Sequence, residues 1–255
     1  MIVNHELADF LKSRRQRMTP TENLAAHRRR RVSGLRREEV AQRADISVEW
    51  YIKLEQGRAV LPSESTLLAL AKALELTDVE QRHLRRLVSR EDRLPHIIER
   101  VPVTLVQVIE NLSGPAYITG KRWDILAWNG AAVRLFGFDV LPEGQRNILL
   151  FVIASPAAKE LFGTTWEVEA KRMVSLFRAE YDVWAGDPSF EDLIAQCRAA
   201  CPQFEDWWTS HDIGAPVSGT KHLHHPLEGH HRYAYSTFYS TDDPALKLAL
   251  YSKQD

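Results

Sequence analysis

Residues 34–57 read GLRREEVAQRADISVEWYIKLEQG, and this stretch decides how the first half of the chain folds. Leu35, Val40, Ala41 and Ala44 fall on one face of a short helix, and Ile46 plugs a three-residue turn. Tyr51 and Leu54 then anchor a second helix against the first. Ser47 stands where that second helix begins, with the short hydroxyl that caps a helix N-terminus. The opposite face carries Val48, Glu49, Trp50, Lys53 and Gln56. A short helix held by its back and polar on its front suits the major groove of DNA. The stretch predicts a DNA-binding helix-turn-helix.

Working outward, Leu7, Phe10, Leu11 and Arg14 lie on one side of a helix over 5–17, which ends near Thr19 because Pro20 disfavours helical geometry before it. Residues 21–33 are polar and Arg-rich without a period, and read as an exposed basic loop. Within 12–37 there are ten Lys or Arg and one acidic residue, Glu22. Such a run is usually a solvated face. Beside a helix-turn-helix, Arg28, Arg29, Arg30 and Arg31 are better read as phosphate ligands. The whole-chain charge of −1 conceals this asymmetry, since residues 1–92 carry 18 Lys+Arg against 14 Asp+Glu. Beyond Gly57, Leu67, Leu70, Ala71 and Leu74 predict a fourth helix, and the Thr77/Glu80 capping-box spacing opens a fifth.

The segment EEVAQRADIS…LEQGR…PS…LLALAKAL resembles the Xre/Cro family of phage-repressor DNA-binding domains. The resemblance implies that Ser47 caps the recognition helix and touches phosphate, that Val48, Glu49 and Lys53 face base edges, and that Arg37 and Arg58 hold the DNA backbone. Two departures stand out. Asp45 replaces the usual turn glycine, and Asp tolerates left-handed geometry better than most residues. Val48 and Glu49 replace the usual amide or Arg side chains; they can meet a thymine methyl and a cytosine amino group.

The second half changes character. Residues 89–102 are charged and broken by two prolines, as in a linker. Leu105, Val108, Ile109 and Leu112 predict a helix, and 116–119 and 123–128 two strands. Asn129 caps a helix that closes at Gly137. Trp166, Ala170, Met173, Phe177, Tyr181 and Trp184 form the stripe of one helix of about twenty residues. Two shorter helices follow, one with Leu193, Ile194 and Cys197 and one with Phe204, Trp207 and Trp208. Residues 219–225, 230–241 and 246–252 alternate as strands. The expected architecture is an all-α five-helix helix-turn-helix domain over 1–92, a linker over 93–103, and an α+β domain over 104–255, mainly an antiparallel sheet with inserted helices.

DILAWNGAAVRLFGF, RNILLFVI, FEDWWTSHDI and GTKHLHHPLEG, with the final strands, resemble the ligand-binding domain of MmyB-like transcription regulators, which is PAS-like in fold. The resemblance implies a sensory pocket, with a fatty acid or similar apolar small molecule as effector. Aromatic and long apolar side chains exceed what an ordinary core needs, so Trp128, Phe151, Trp166, Met173, Phe177, Tyr181 and Trp208 are expected to line a cavity. Arg146, Asn147, His211 and Lys221 are candidate anchors for a polar head group; each has a structural alternative, such as His211 bonded to Asp212 or to a backbone carbonyl.

No apolar run approaches the ~20 residues of a membrane helix, and no signal organisation opens the chain, so a cytoplasmic location is expected. Cys197 and Cys201 read as buried thiols. His222, His224, His225, His230 and His231 cluster across a turn and tempt a metal reading, but only His225 belongs to the pattern of the resemblance and the others read as substitutions on an exposed hairpin, so no metal is expected. Enzyme fingerprints are missing too: no G-x-S-x-G, no P-loop and no Gly-rich dinucleotide loop. The sequence predicts a non-enzymatic, ligand-responsive, sequence-specific transcription regulator whose partners are double-stranded DNA, a small apolar ligand and a second copy of itself in a homodimer. The alternative is a regulator whose C-terminal domain binds a protein partner.

Overall fold

The computed structural model describes residues 5–19, 34–58, 61–88, 95–225 and 228–254. The chain forms two units, Met1–Arg93 with Ser210–Ile213, and Leu94–Thr209 with Gly214–Asp255.

Among the described residues the regular structure of the first unit is helical. Helix α1 (His5–Arg17), α2 (Arg37–Arg43), α3 (Val48–Glu55), α4 (Glu64–Ala73) and α5 (Asp78–Val88) enclose a core of Phe10, Leu11, Val40, Tyr51, Leu54, Leu70 and Leu84. The helix ends follow their caps. Ser63 accepts the Thr66 amide at 3.2 Å, and Thr77 and Glu80 exchange bonds across the start of α5 at 2.8 and 3.4 Å. Gly34 has φ +78°, and a Cβ there would run into the carbonyls of Arg15 and Gln16, so only glycine lets the chain pass α1 into the helix-turn-helix. In the same unit, Arg14 donates to the His211 carbonyl at 2.6 Å and Arg17 pairs with Asp212 at 2.8 Å.

The second unit is a five-stranded antiparallel sheet in the order β2-β1-β5-β4-β3. Its strands are β1 (Ala116–Thr119), β2 (Ile125–Trp128), β3 (Gly219–His225), β4 (Gly229–Tyr239) and β5 (Lys247–Gln254). Between β2 and β3 lie α7 (Gly130–Phe136), α8 (Ile148–Ala154), α9 (Pro156–Phe162), α10 (Trp166–Trp184), α11 (Pro188–Ala200) and α12 (Phe204–Thr209), while α6 (Val103–Glu110) precedes β1. The strand period of two sorts the side chains. Tyr117, Leu223, Tyr233, Ala249 and Tyr251 join the core under the inserted helices, and Ala116 and Ile118 pack with Ile109 of α6 on the other face. This is the α+β arrangement expected.

Two local differences from the sequence expectation have plain causes. The second strand begins at Ile125 rather than Trp123, because Trp123 closes a turn: its amide donates to the Gly120 carbonyl at 3.1 Å and its φ is +69°. The sequence expectation carries neither α8 nor α9: ILLFVIA of α8 is apolar at every position and shows no period, and PAAKELF of α9 is only seven residues long. Asn129 organises the β2–α7 junction. Its side-chain oxygen accepts the amides of Ala116 and Ala132 at 3.1 and 2.9 Å, and its nitrogen donates to the carbonyls of Ile109, Leu112 and Gly114.

Among the described residues no single helix is long and apolar enough to cross a membrane, and no group of three or more His, Cys, Asp or Glu is placed to hold a metal. Cys197 and Cys201 are free and buried, and burial pushes the Cys197 thiol up to about 12.

Candidate DNA interface and ligand cavity

The helix-turn-helix forms as its apolar spacing requires. The turn closes through the amides of Ala44 and Ile46, which donate to Val40 and Ala41 at 2.9 and 3.0 Å. Asp45 takes the left-handed conformation, φ +53°, in place of glycine. Ser47 caps α3 by accepting the Trp50 amide at 3.2 Å. Replacing Ser47 by Ala removes that bond and is expected to cost the first unit about 1 kcal/mol, read from chemical denaturation of the full chain.

Ser47, Glu49, Lys53 and Arg58 are exposed, whereas Val48 and Trp50 are half-buried against the core of the unit. The exposed front of α3 is therefore the Ser47, Glu49, Lys53 set, with Val48 offering only part of its side chain. Arg28, Arg29, Arg30 and Arg31 lie outside the described residues.

Arg37, expected at the DNA backbone from the resemblance, is engaged within the unit. Its Nε donates to Glu55 at 2.6 Å, and the buried Arg15 holds the same carboxylate through Nε and Nη2 at 2.5 and 3.1 Å. Arg15 also donates to the Leu35 carbonyl at 2.8 Å. Burial resists ionisation of Glu55, but the hydrogen bonds from Arg15 and Arg37 outweigh it and hold the carboxyl below its ordinary range. This cluster ties α1, α2 and the base of α3 together, and Arg37 keeps part of its guanidinium exposed, 41% by side chain.

In the second unit a small, partly open hollow lies between the sheet and the helices. Phe136, Ile148, Phe151, Val152, Phe162 and Met173 make its apolar wall. The polar lining is Glu169, Arg172 and Lys221, with Tyr117, Tyr235 and Tyr251 from three strands, and the rings of Tyr117 and Tyr251 pack against Phe136. Glu169 accepts a bidentate pair from Arg172 at 2.8 and 3.1 Å, and also pairs with the Lys221 ammonium. Burial opposes charge on Glu169, but Arg172 and Lys221 prevail and lower its pKa, while burial lowers that of Lys221 and raises those of Tyr117, Tyr235 and Tyr251. The phenols stay neutral donors, and the ion set carries two cations against one carboxylate.

Of the side chains expected at a ligand, Phe151, Met173 and Lys221 line this cavity. The others are engaged elsewhere. Asn147 caps α8 and donates to the Arg122 carbonyl at 2.8 Å, and Arg146 lies 5.3 Å over the Trp128 ring. The Trp166 indole donates to the Val152 carbonyl at 2.7 Å, and Phe177 is fully buried against Trp123 and Phe190. The Tyr181 hydroxyl reaches Glu191 at 2.7 Å, Trp208 sits under the Arg178 guanidinium at 4.3 Å, and His211 belongs to the first unit. Glu169, Arg172 and the three tyrosines escaped the sequence reading. Glu169 and Arg172, three apart near the start of α10, look like an ordinary surface ion pair until the fold sets them against Lys221.

A helix-turn-helix with an exposed polar front, in one chain with an α+β unit that holds a cavity, defines a DNA-binding transcription regulator with a ligand-binding domain. Residues 101–254 match the family described as the MmyB-like transcription regulator ligand binding domain, and residues 6–84 match a helix-turn-helix domain. The chain belongs to the MmyB-like transcription regulators. A comparison with curated proteins gave no match.

Proposed function

We propose that this regulator answers to a small apolar ligand of the fatty-acyl type, bound in the cavity of the second unit, and that it reads DNA as a cytoplasmic homodimer. The observation that carries the reading is the cavity itself, lined by six apolar residues and one cluster of charged side chains. That division suits a molecule with one polar end and an apolar body. The open space is narrow, so a long chain is accommodated only as Met173 and the neighbouring phenylalanines repack. The homodimer follows from the helix-turn-helix, since a lone recognition helix covers one half-site and dimers match paired half-sites. Ligand then regulates DNA binding only insofar as it favours one placement of the two helices over another.

Native mass spectrometry of the purified full chain tests the reading by the mass of any retained small molecule, and a protein that co-purifies instead would favour the protein-partner alternative. Met173→Trp, which fills the cavity, is expected to weaken decanoate binding at least tenfold by calorimetry. In a gel shift its DNA complex should stop responding to added decanoate. Unchanged decanoate affinity in this variant would place the ligand elsewhere.

A further inference from the structure

The polar pole of the cavity is already satisfied. Glu169 takes two hydrogen bonds from Arg172 and pairs with Lys221, and all three side chains are largely withdrawn from solvent, at 13%, 32% and 13% exposure. Lys221 also lies 5.2 Å over the Tyr235 ring, which fixes it at the cavity wall. These are the contacts that a carboxylate on a ligand would make, since a bidentate guanidinium and an ammonium are the strongest carboxylate partners in a protein. Glu169 makes them from within the chain.

The neutral phenols of Tyr117, Tyr235 and Tyr251 line the cavity beside these ions, and Lys247 of β5 lies near enough to feel the Arg172 charge. A ligand bearing one negative charge would be drawn to these cations, but the best-placed donors are already committed to Glu169. A neutral ligand end has no such competitor to displace.

We propose that Glu169 occupies the seat of the ligand's anionic end, so that ligand binding exchanges one carboxylate for another at Arg172 and Lys221. Glu169 is thereby a specificity-determining residue: it sets a threshold that an anionic ligand must exceed and leaves a neutral one nearly unaffected. This rests on the cavity reading above and adds to it the role of a residue that never has to touch the apolar body. Because Glu169 stands on α10, the exchange also acts directly on the helix that carries Met173 and Phe177.

The test compares decanoate with decan-1-ol, which share an apolar body and differ in end-group charge, by calorimetry on the full chain. Glu169→Gln should bind decanoate at least tenfold more tightly than the unsubstituted chain, with decan-1-ol affinity changed less than twofold. Circular dichroism checks that the variant is folded. Should it not fold, Glu169→Asp keeps the charge but draws it back from Lys221, and it should favour decanoate in the same direction. A variant that binds both probes as the unsubstituted chain does, or loses decanoate, overturns the exchange. If Met173→Trp still abolishes binding, the cavity reading stands without it. If decanoate binding ignores Met173→Trp, the cavity reading fails, and if neither probe binds any form of the chain, both fall together.

Discussion

Glu55→Gln is expected to destabilise the helix-turn-helix unit by about 3–5 kcal/mol, enough to leave it largely unfolded near physiological temperature. The side chain of Glu55 is fully buried and that of Arg15 nearly so, at 0% and 6% exposure. Glutamine keeps the shape but removes the charge. It also turns an amide N–H₂ toward guanidinium donors that need an acceptor, so the buried Arg15 charge loses its counter-ion and keeps only the Leu35 carbonyl and one amide oxygen as acceptors. Melting curves of the full chain should show the first unit unfolding early, with loss of DNA binding. The pH dependence has a defined sign. Since the folded carboxyl is held below its unfolded value of roughly 4.3, its contribution is fully present above that value and is lost as pH falls through the lower folded pKa. The Gln variant should lack that acid-side loss. A variant with unchanged melting would show that the Arg15–Glu55–Arg37 cluster contributes nothing net.

Neutralising Arg28, Arg29, Arg30 and Arg31 together to Gln is expected to weaken DNA binding on the order of a thousandfold at moderate salt, alike for all sequences. The front of α3 offers Glu49 and Lys53, with Val48 half-buried, so direct base contact is sparse and phosphate contact must supply much of the affinity. Each phosphate contact contributes about 0.9 to the slope of log affinity against log salt, and the variant should lose roughly three to four from that slope. Fluorescence anisotropy with the chain's own upstream DNA and a scrambled duplex, across a salt series, measures both. Equal slopes before and after, or a loss confined to one base position, would assign the affinity to the recognition helix instead.

These two predictions draw on different sources. The arginine run is legible at once, because charge density needs no geometry to be recognised. The Glu55 cluster is not, since Glu55 looks like one more polar residue at the end of a reading helix, next to Gln56. Only the packing of α1 against α3 buries it against Arg15, and the same packing commits part of Arg37, which the resemblance to Xre/Cro domains assigns to the DNA backbone.

The second unit repeats the contrast. Asn129, Gly137 and the stripe from Trp166 to Trp184 announced α7 and α10 because caps and helical periods are local. The terminal strands were visible because alternation is local as well. Helices α8 and α9 show no helical period, and only Asn147 and the Ser155-Pro156 start mark them locally, while a turn hydrogen bond keeps Trp123 out of the strand its sequence suggests. Most of the expected ligand residues were chosen for size and aromaticity. A buried indole or phenyl ring serves a core as well as a cavity, and Trp166, Phe177, Tyr181 and Trp208 are packed or hydrogen-bonded away from the hollow.

By itself the sequence determined that this chain pairs a helix-turn-helix with an α+β domain, where the recognition helix starts, and where its positive charge lies. Those properties rest on periodicity, capping and composition, which act over a few residues. Only the tertiary structure decided what lines the cavity and what occupies its polar pole. Glu169 and Arg172 on α10 meet Lys221 on β3 and tyrosines on β1, β4 and β5 because β5 pairs between β1 and β4, joining strands more than a hundred residues apart in sequence. Strand register and helix packing bring those groups within bonding distance, and neither is written in the spacing of any one segment.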